Sequence, residues 1–331
     1  MVSEIKVIDK VKKMKPHLVI LGAGASKAAF PEGDKNNKEL PVMDDFIEVL
    51  GLKGIVENLN LETDSDNFED IYSELYAKDK YQNELNQIEE KVFNYFSDLR
   101  LPEDTTIYDY LIISLRKKDA IATFNWDPLL IQAYQRVKSI TEKLPELIFL
   151  HGNVWMGICK EHKIATIRGY GCPECREELE KVKLLYPIKE KDYEEDDYIR
   201  SQWERVRAYL KDAFSITIFG YSAPKSDQAA INLFKEAWGD IEERRFEEIE
   251  IIDIKSRKEL RETWNDFIHT HHYRTHKSYF ESQIALFPRR TIEAYYETLI
   301  KARFVDDHKI PDNISFSKLK DEIKKLLKHE N

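Results

Sequence analysis

Cysteine is scarce in this chain: three among 331 residues, an odd number. That count excludes a secreted framework of paired disulfides. Long apolar runs are also missing. None approaches the roughly 20 residues that cross a bilayer, so no membrane partner is expected. Positive charge is in deficit, with 51 Lys and Arg against 61 Asp and Glu, a net charge of −10. A general nucleic-acid binder carries a basic footprint, so none is expected here. An acidic surface still leaves room for a local basic pocket for phosphates. The segment Met1 to Lys15 is charged and lacks the apolar centre of a signal peptide, so a cytoplasmic location is expected. Internal repeats and low-complexity segments are absent.

What is present points to a packed α/β protein. A hydrophobic content of 42% supports a core, and the length exceeds one minimal domain. Five apolar, β-branched runs read as buried parallel strands: Leu18–Leu21, Ala120–Phe124, Leu147–Leu150, Ser215–Phe219 and Ile249–Ile254. Residues 44–118 have helical spacing, as in Phe68, Ile71, Tyr72, Leu75 and Tyr76. This stretch is too long for a simple crossover and reads as a helical insert forming one wall of a site. The acidic run Lys189 to Asp197 reads as a solvated connection, and Ser201 to Asp212 as a helix. Ile292 to Phe304 and Phe316 to Leu327 read as closing helices. The expected fold is α/β: a Rossmann-like parallel sheet with a helical insert and a small zinc-binding module.

Three strand ends carry chemistry. Gly22-Ala23-Gly24-Ala25-Ser26 lies between the first strand and a helix expected to begin near Ser26. Glycines there let backbone N–H groups approach a pyrophosphate. The third glycine of the dinucleotide fingerprint is missing, with Ala28 near its place, so an ordinary tight strand-to-helix turn is the competing explanation. No acidic residue ends a second strand about 20 residues on, which leaves an ordinary dehydrogenase mode unsupported.

Asn125 and Asp127 follow the second run, with Trp126 pointing to the opposite face. An Asn there can hold a carboxamide, a ribose hydroxyl or a water. Asp127 precedes Pro128, so it also suits a helix N-cap. Asn125 is harder to explain structurally, because a polar group ending a buried strand is costly without a partner. His151 ends the third run before Gly152. It suits a base acting on a ribose hydroxyl or water, against the commoner structural histidine. In open α/β sheets ligands bind beyond the carboxyl ends of the strands. If these strands are neighbours, the loop, the Asn/Asp pair and the His share one crevice suited to cleaving a dinucleotide.

Cys159, His162, Cys172 and Cys175 form a C-x2-H…C-x2-C set. Two close pairs joined by a short loop match a closed tetrahedral zinc site, with Gly169 and Gly171 permitting the turns. Such a site is structural. Three reduced surface cysteines are the alternative.

In this order, these motifs resemble the sirtuin-like superfamily of NAD-consuming proteins. The resemblance rests on Gly22-Ala23-Gly24-Ala25-Ser26, Thr123-x-Asn125-x-Asp127, His151-Gly152, the Cys/His module and Gly220-Tyr221-Ser222, and covers about Lys15 to Lys255. It implies that Gly22, Ala23, Gly24 and Ser26 cradle phosphate, and that Asn125 and Asp127 face the nicotinamide and its ribose. It further implies that His151 is the catalytic base, that Gly220, Tyr221 and Ser222 contact the nucleotide again, and that Asp253 lies toward the adenosine. NAD is then the substrate and zinc is structural. Protein-deacylating sirtuins follow the glycine turn with Gly-Ile-Pro-Asp-Phe-Arg. Here the chain reads Ala28-Ala29-Phe30-Pro31-Glu32-Gly33-Asp34, without the arginine, and then Leu40-Pro41-Val42-Met43-Asp44. This pattern is similar to the divergent bacterial branch that hydrolyses NAD, often in antiphage defence. The expected activity is NAD glycohydrolysis. A protein deacylase and a non-catalytic NAD or ADP-ribose sensor in an assembly are the alternatives.

The resemblance divides the chain into a catalytic domain, 1–256, with its insert and a zinc module at about 157–178, and an extension, 257–331. In the extension, His269, His271, His272 and His276 cluster with Arg274 and Lys277. They read as a strand or loop with partly basic side chains, with a second metal site as the alternative. The helix Ser317 to His329 places Leu319, Ile323, Leu326 and Leu327 on one face. It is expected to dock on the body or at a subunit interface, so a homo-oligomer or regulatory protein partner is anticipated.

Overall fold

The computed structural model describes residues 15–188, 191–224, 227–240, 244, 246–265, 267, 272–328 and 330. All five anticipated runs are strands, with small shifts at their ends: β1 His17–Leu21, β2 Ala120–Thr123, β3 Glu146–Phe149, β7 Ser215–Phe219 and β8 Glu248–Ile252. A sixth, β9 Tyr273–His276, extends the sheet. The order is β3-β2-β1-β7-β8-β9, parallel throughout. The chain runs outward from β1 on one side and then on the other. The topological switch point therefore lies between β1 and β7, where an open α/β sheet forms its ligand crevice.

Side chains alternate across the sheet, and both faces are covered. Val19, Leu21, Ile121, Phe219 and Ile252 enter a core shared with the insert and the C-terminal helices. Leu18, Ile20, Ala122, Ile148, Ile218 and Ile251 enter the opposite core, with Trp203, Phe234 and Trp238. Two-sided burial explains why the strands read as continuous apolar runs.

The insert is a set of helices: α2 Phe46–Val49, α3 Lys53–Val56, α4 Phe68–Tyr76, α5 Gln82–Ser97 and α6 Ile107–Ser114. Asn67 caps α4, accepting the Glu69 N–H. Thr106 and Asp109 form a capping box on α6. Residues 156–181 form a small antiparallel sheet, ordered β5 (Ile164–Ile167), β4 (Met156–Cys159), β6 (Glu180–Lys181).

Several expectations need correction. The first helix, α1, spans Ala23–Ala29, beginning at the glycine turn rather than near Ser26. The helix expected from Ser201 spans Asp197–Asp212 (α8), because Asp196 accepts the Ile199 N–H and caps it earlier. The helix expected over Ile292 to Phe304 is Thr291–Tyr295 followed by a π-turn ending at Ile300. Beyond residue 256 the chain adds β9, which pairs in parallel with β8. The last helix, Phe316–Leu327, buries Leu319 and Ile323 on the body. In the His-rich segment, His269 and His271 lie outside the described residues, and His276 ends β9.

Candidate active site

The glycines bring two strand ends into backbone contact. The Gly22 N–H donates to Phe219 O at 3.1 Å and the Gly24 N–H to Gly220 O at 2.9 Å. Gly220 has φ +59°, and a Cβ there would lie 2.1 Å from Ala25 N. A Cβ on Gly22 would lie 2.6 Å from Gly220 O. Close packing at the switch point thus demands glycine at each position. It also uses the Gly24 N–H internally, and the Ala25 N–H donates to Gly22 O at 3.0 Å.

Above this contact lies a cavity of about 370 Å³. Its walls include Gly22, Ala23, Gly24, Ser26, Asn125, Asp127, His151, Gly220, Tyr221, Ser222 and Asp253. Every residue singled out for nucleotide binding or chemistry borders this one space. Leu40, Pro41, Val42, Met43 and Asp44 form part of another wall, so the segment that departs from the deacylase pattern also shapes the cavity.

Asn125 is the centre of a hydrogen-bonded cluster. Its Nδ2 donates to Gly22 O and Ser26 Oγ, each at 2.9 Å. A backbone carbonyl only accepts, so the amide NH2 must face Gly22 and the amide oxygen must face away. Ser26 Oγ donates to Asp127 Oδ2 at 2.7 Å and lies 2.7 Å from the Tyr108 hydroxyl. Asp127 Oδ1 accepts the Leu129 N–H at 3.0 Å at the start of α7 (Leu129–Lys138), from one residue before the N-cap, which is Pro128 and not Asp127 as expected. Burial pushes the Asp127 carboxyl above its usual range, against the Ser26 hydroxyl and the Leu129 N–H. The Ser26 hydroxyl is therefore engaged within the protein.

His151 lies across the cavity. Its ring stands edge-on to Phe124, with centroids 4.7 Å apart. Nε2 is buried without a hydrogen-bond partner, 3.8 Å from Asp227 Oδ1. Asp227 Oδ1 is ion-paired with Lys191 Nζ, and Oδ2 accepts the Tyr221 hydroxyl at 2.9 Å. Burial lowers the His151 pKa to about 3, opposed by Asp227 and assisted by Lys191, so the imidazole is neutral at physiological pH. Burial alone would raise Asp227. The facing His151, the Lys191 ammonium and the Tyr221 hydroxyl together more than offset it and hold the carboxyl below its usual range.

Lys191, Asp227 and Tyr108 escaped the sequence reading. Lys191 was expected on a solvated connection. Instead its side chain is only 2% exposed, and Tyr193 two residues on is also buried. The tyrosine within the acidic run was the available signal. Asp227 carries none, since Lys191 and His151 lie 36 and 76 residues away and the nearer Tyr221 reads as an apolar core residue.

The cysteine and histidine ligand atoms gather within 4.8 Å of one another. Cys159 Sγ lies 3.5 Å from His162 Nδ1 and 3.8 Å from Cys175 Sγ, and Cys172 Sγ lies 3.8 Å from His162 Nδ1. A tetrahedron with Zn–S near 2.3 Å and Zn–N near 2.0 Å has edges of roughly 3.5–3.8 Å. Donor set and spacing both fit structural zinc, which would tie β4 to the 172–175 turn.

No family model and no curated protein matches the chain. Solved structures do. The chain is similar to a structure described as the structural basis of sirtuin substrate affinity: 12% identity over 90% of this chain and 98% of that one, TM-score 0.42. It is similar to one described as the structural basis for the mechanism and regulation of Sir2 enzymes, with 14% identity, 98% of both chains and TM-score 0.40. A third, Sir2 with a p53 peptide and NAD+, has 12% identity over 90% of this chain and 97% of that one, TM-score 0.36. The functional assignment rests on this chain's own residues.

Proposed function

We propose that this chain hydrolyses NAD at the nicotinamide–ribose bond, giving nicotinamide and ADP-ribose. The observation that carries the proposal is that Asn125 and His151, 26 positions apart, border one cavity at the switch point of the sheet. The C1′–N bond breaks with its electron pair leaving on nicotinamide, which departs neutral. The ribose gains oxocarbenium character, and water closes the new O–C1′ bond. Asn125 presents its amide oxygen to the ribose or the incoming water. His151, neutral, takes the water's proton. Asp127 acts mainly through Ser26, which fixes Asn125, and its carboxylate favours positive charge in the cavity. The Gly22–Gly24 and Gly220–Ser222 edges offer the pyrophosphate its place, and Asp253 borders the adenosine side. Structural zinc holds its module together. The sequence resemblance makes bacterial antiphage defence in the cytoplasm the setting for this activity, within a homo-oligomer or under a regulatory partner.

Incubating the purified chain with NAD and identifying products by mass tests the proposal. Free nicotinamide with ADP-ribose is expected, falling by at least about 10²-fold in Asn125→Ala or His151→Ala. Unchanged turnover in both variants would overturn it.

One observation favours a second reading, NAD-dependent deacylation. A groove of about 640 Å³ runs between α4, α5 and residues 181–188 and 191–195, and shares Leu185 and Lys191 with the cavity. An acylated peptide lying there would yield O-acyl-ADP-ribose, which the same mass measurement detects.

A further inference from the structure

The pair Lys191–Asp227 has no role in the chemistry so far, although both residues border the cavity. They are no ordinary surface ion pair, since their side chains are 2% and 5% exposed. Burying two charges is costly and is a poor route to stability alone. What lies beside them is the base. The turn after β3 is tight: Gly152 has φ +78°, and a Cβ there would lie 2.2 Å from Lys183 O. That turn sets the His151 ring inward. Phe124 meets it edge-on and Tyr193 lies nearly parallel to it, 13° between planes. The ring plane is thus fixed, yet Nε2 has no hydrogen-bond partner in a buried setting. The anion nearest Nε2 is Asp227 Oδ1, at 3.8 Å.

We propose that Asp227, held by Lys191 and the Tyr221 hydroxyl, is the positioning residue that sets the tautomer of His151. A carboxylate on the Nε2 side favours a proton on Nε2 and leaves the lone pair on Nδ1. The assignment deepens the hydrolase reading and rests on it for the base role of His151. As O–C1′ forms and C1′–N breaks, the water's proton passes to Nδ1. The imidazolium then directs its Nε2–H at Asp227, and the proton returns to solvent after ADP-ribose leaves. Asp227 supplies the countercharge, and Lys191 keeps that carboxylate ionised between turnovers. The charged groups facing the ring among the described residues are these two. Phe124 and Tyr193 supply its uncharged surroundings.

Long-range 1H–15N spectra of the full chain, with His151 assigned by a His151→Gln variant, read the tautomer without turnover. In the wild type a single Nε2–H form is expected. Asp227→Asn should give mixed tautomers and lower kcat by about 10²-fold, with KM changed less than about threefold. Asp227→Glu should restore the wild-type spectrum in part. Should Asp227→Asn leave the chain unfolded, Asp227→Asn combined with Lys191→Met removes both charges. Mixed tautomers in that double variant support the assignment. A wild-type tautomer in whichever variant folds overturns it. A tautomer that depends on Asp227 in a chain with no NAD turnover would support the positioning role and sink the hydrolase reading alone.

Discussion

Two of the regions that bury charged side chains differ in one respect: only the first borders the cavity at the switch point. At the carboxyl ends of the strands, Asn125, His151 and the Lys191–Asp227 pair line the space at the switch point. The second region lies on one face of the sheet. His17 Nε2 is 2.8 Å from Thr217 Oγ1, which donates to Glu250 Oε2 at 3.0 Å. Glu250 Oε1 accepts the Gln283 N–H at 2.7 Å, and His276 Nε2 lies 3.1 Å from the same oxygen. Arg274, whose register partner is Glu250, pairs with Glu248 two residues before it. Here the partners come from the C-terminal segment, which seals the face. A buried charge therefore marks a site only where it meets open space. Elsewhere it can fasten one segment to another.

The sharpest break between the regions is a double dissociation. Asn125→Ala and His151→Ala should remove about 10²–10⁴-fold of NAD turnover. Their unfolding free energies should stay within about 2 kcal/mol of wild type, because Asn125 loses only a few hydrogen bonds and His151 loses ring contacts while its Nε2 has no hydrogen bond to lose. Glu250→Ala should do the reverse. It strips partners from Thr217, His276 and the Gln283 N–H together, which should cost about 3–5 kcal/mol while leaving kcat per folded molecule unchanged. Nicotinamide release and denaturant titration on the same preparations decide the matter. A Glu250→Ala protein that is stable but inactive would erase the distinction.

A middle-sized effect tests the floor of the cavity. Gly220→Ala meets both a positive φ and a backbone atom 2.1 Å away. It should destabilise by about 3 kcal/mol and raise the KM for NAD. Gly51 has φ +63° with nothing within 4 Å, so Gly51→Ala isolates the conformational part, about 1 kcal/mol. Equal losses in the two variants would mean that the close approach at the switch point contributes nothing.

Much of the sheet was legible because burial on both faces leaves an unbroken apolar run, which a single strand displays by itself. The convergence of Asn125 and His151 was legible for a related reason, since both stand immediately after such runs. β9, in contrast, reads Tyr-Arg-Thr-His. Its polar character comes from neighbours: Arg274 and His276 answer Glu248 and Glu250, a match visible only once the strands are paired. Lys191 was misread for the same reason. In an acidic run it looks solvated, and its burial follows from Asp227 and from aromatic packing by Tyr193. Tyr108 sits on an apolar helix where a tyrosine suits the core, and its hydroxyl acquires meaning only opposite Ser26. Patterns local to one element could be read, whereas pairings between distant elements could not.

The smallest expected effect concerns the sealed region and depends on sign. Burial lowers the His17 pKa to about 4 from an ordinary 6.5, against the raising influence of Asp119 and Glu250. A folded pKa below the unfolded one means that the unfolded chain binds the proton first. Stability is therefore lost as pH falls from about 6.5 toward 4. Between pH 7.5 and 5.5 this amounts to about 1.3 kcal/mol for His17. Glu248 acts oppositely: burial raises its pKa to about 8 despite Arg274, so its contribution is lost as pH rises from about 4.5 toward 8. The two slopes oppose one another in the wild type, which is why single-site differences are needed. The wild-type curve minus that of His17→Asn should fall on acidification, and the wild-type curve minus that of Glu248→Gln should rise. Neither substitution should alter the pH profile of nicotinamide release, because neither group borders the cavity. Parallel stability curves would place both side chains in contact with water, and a shifted activity profile would join the two regions into one electrostatic unit.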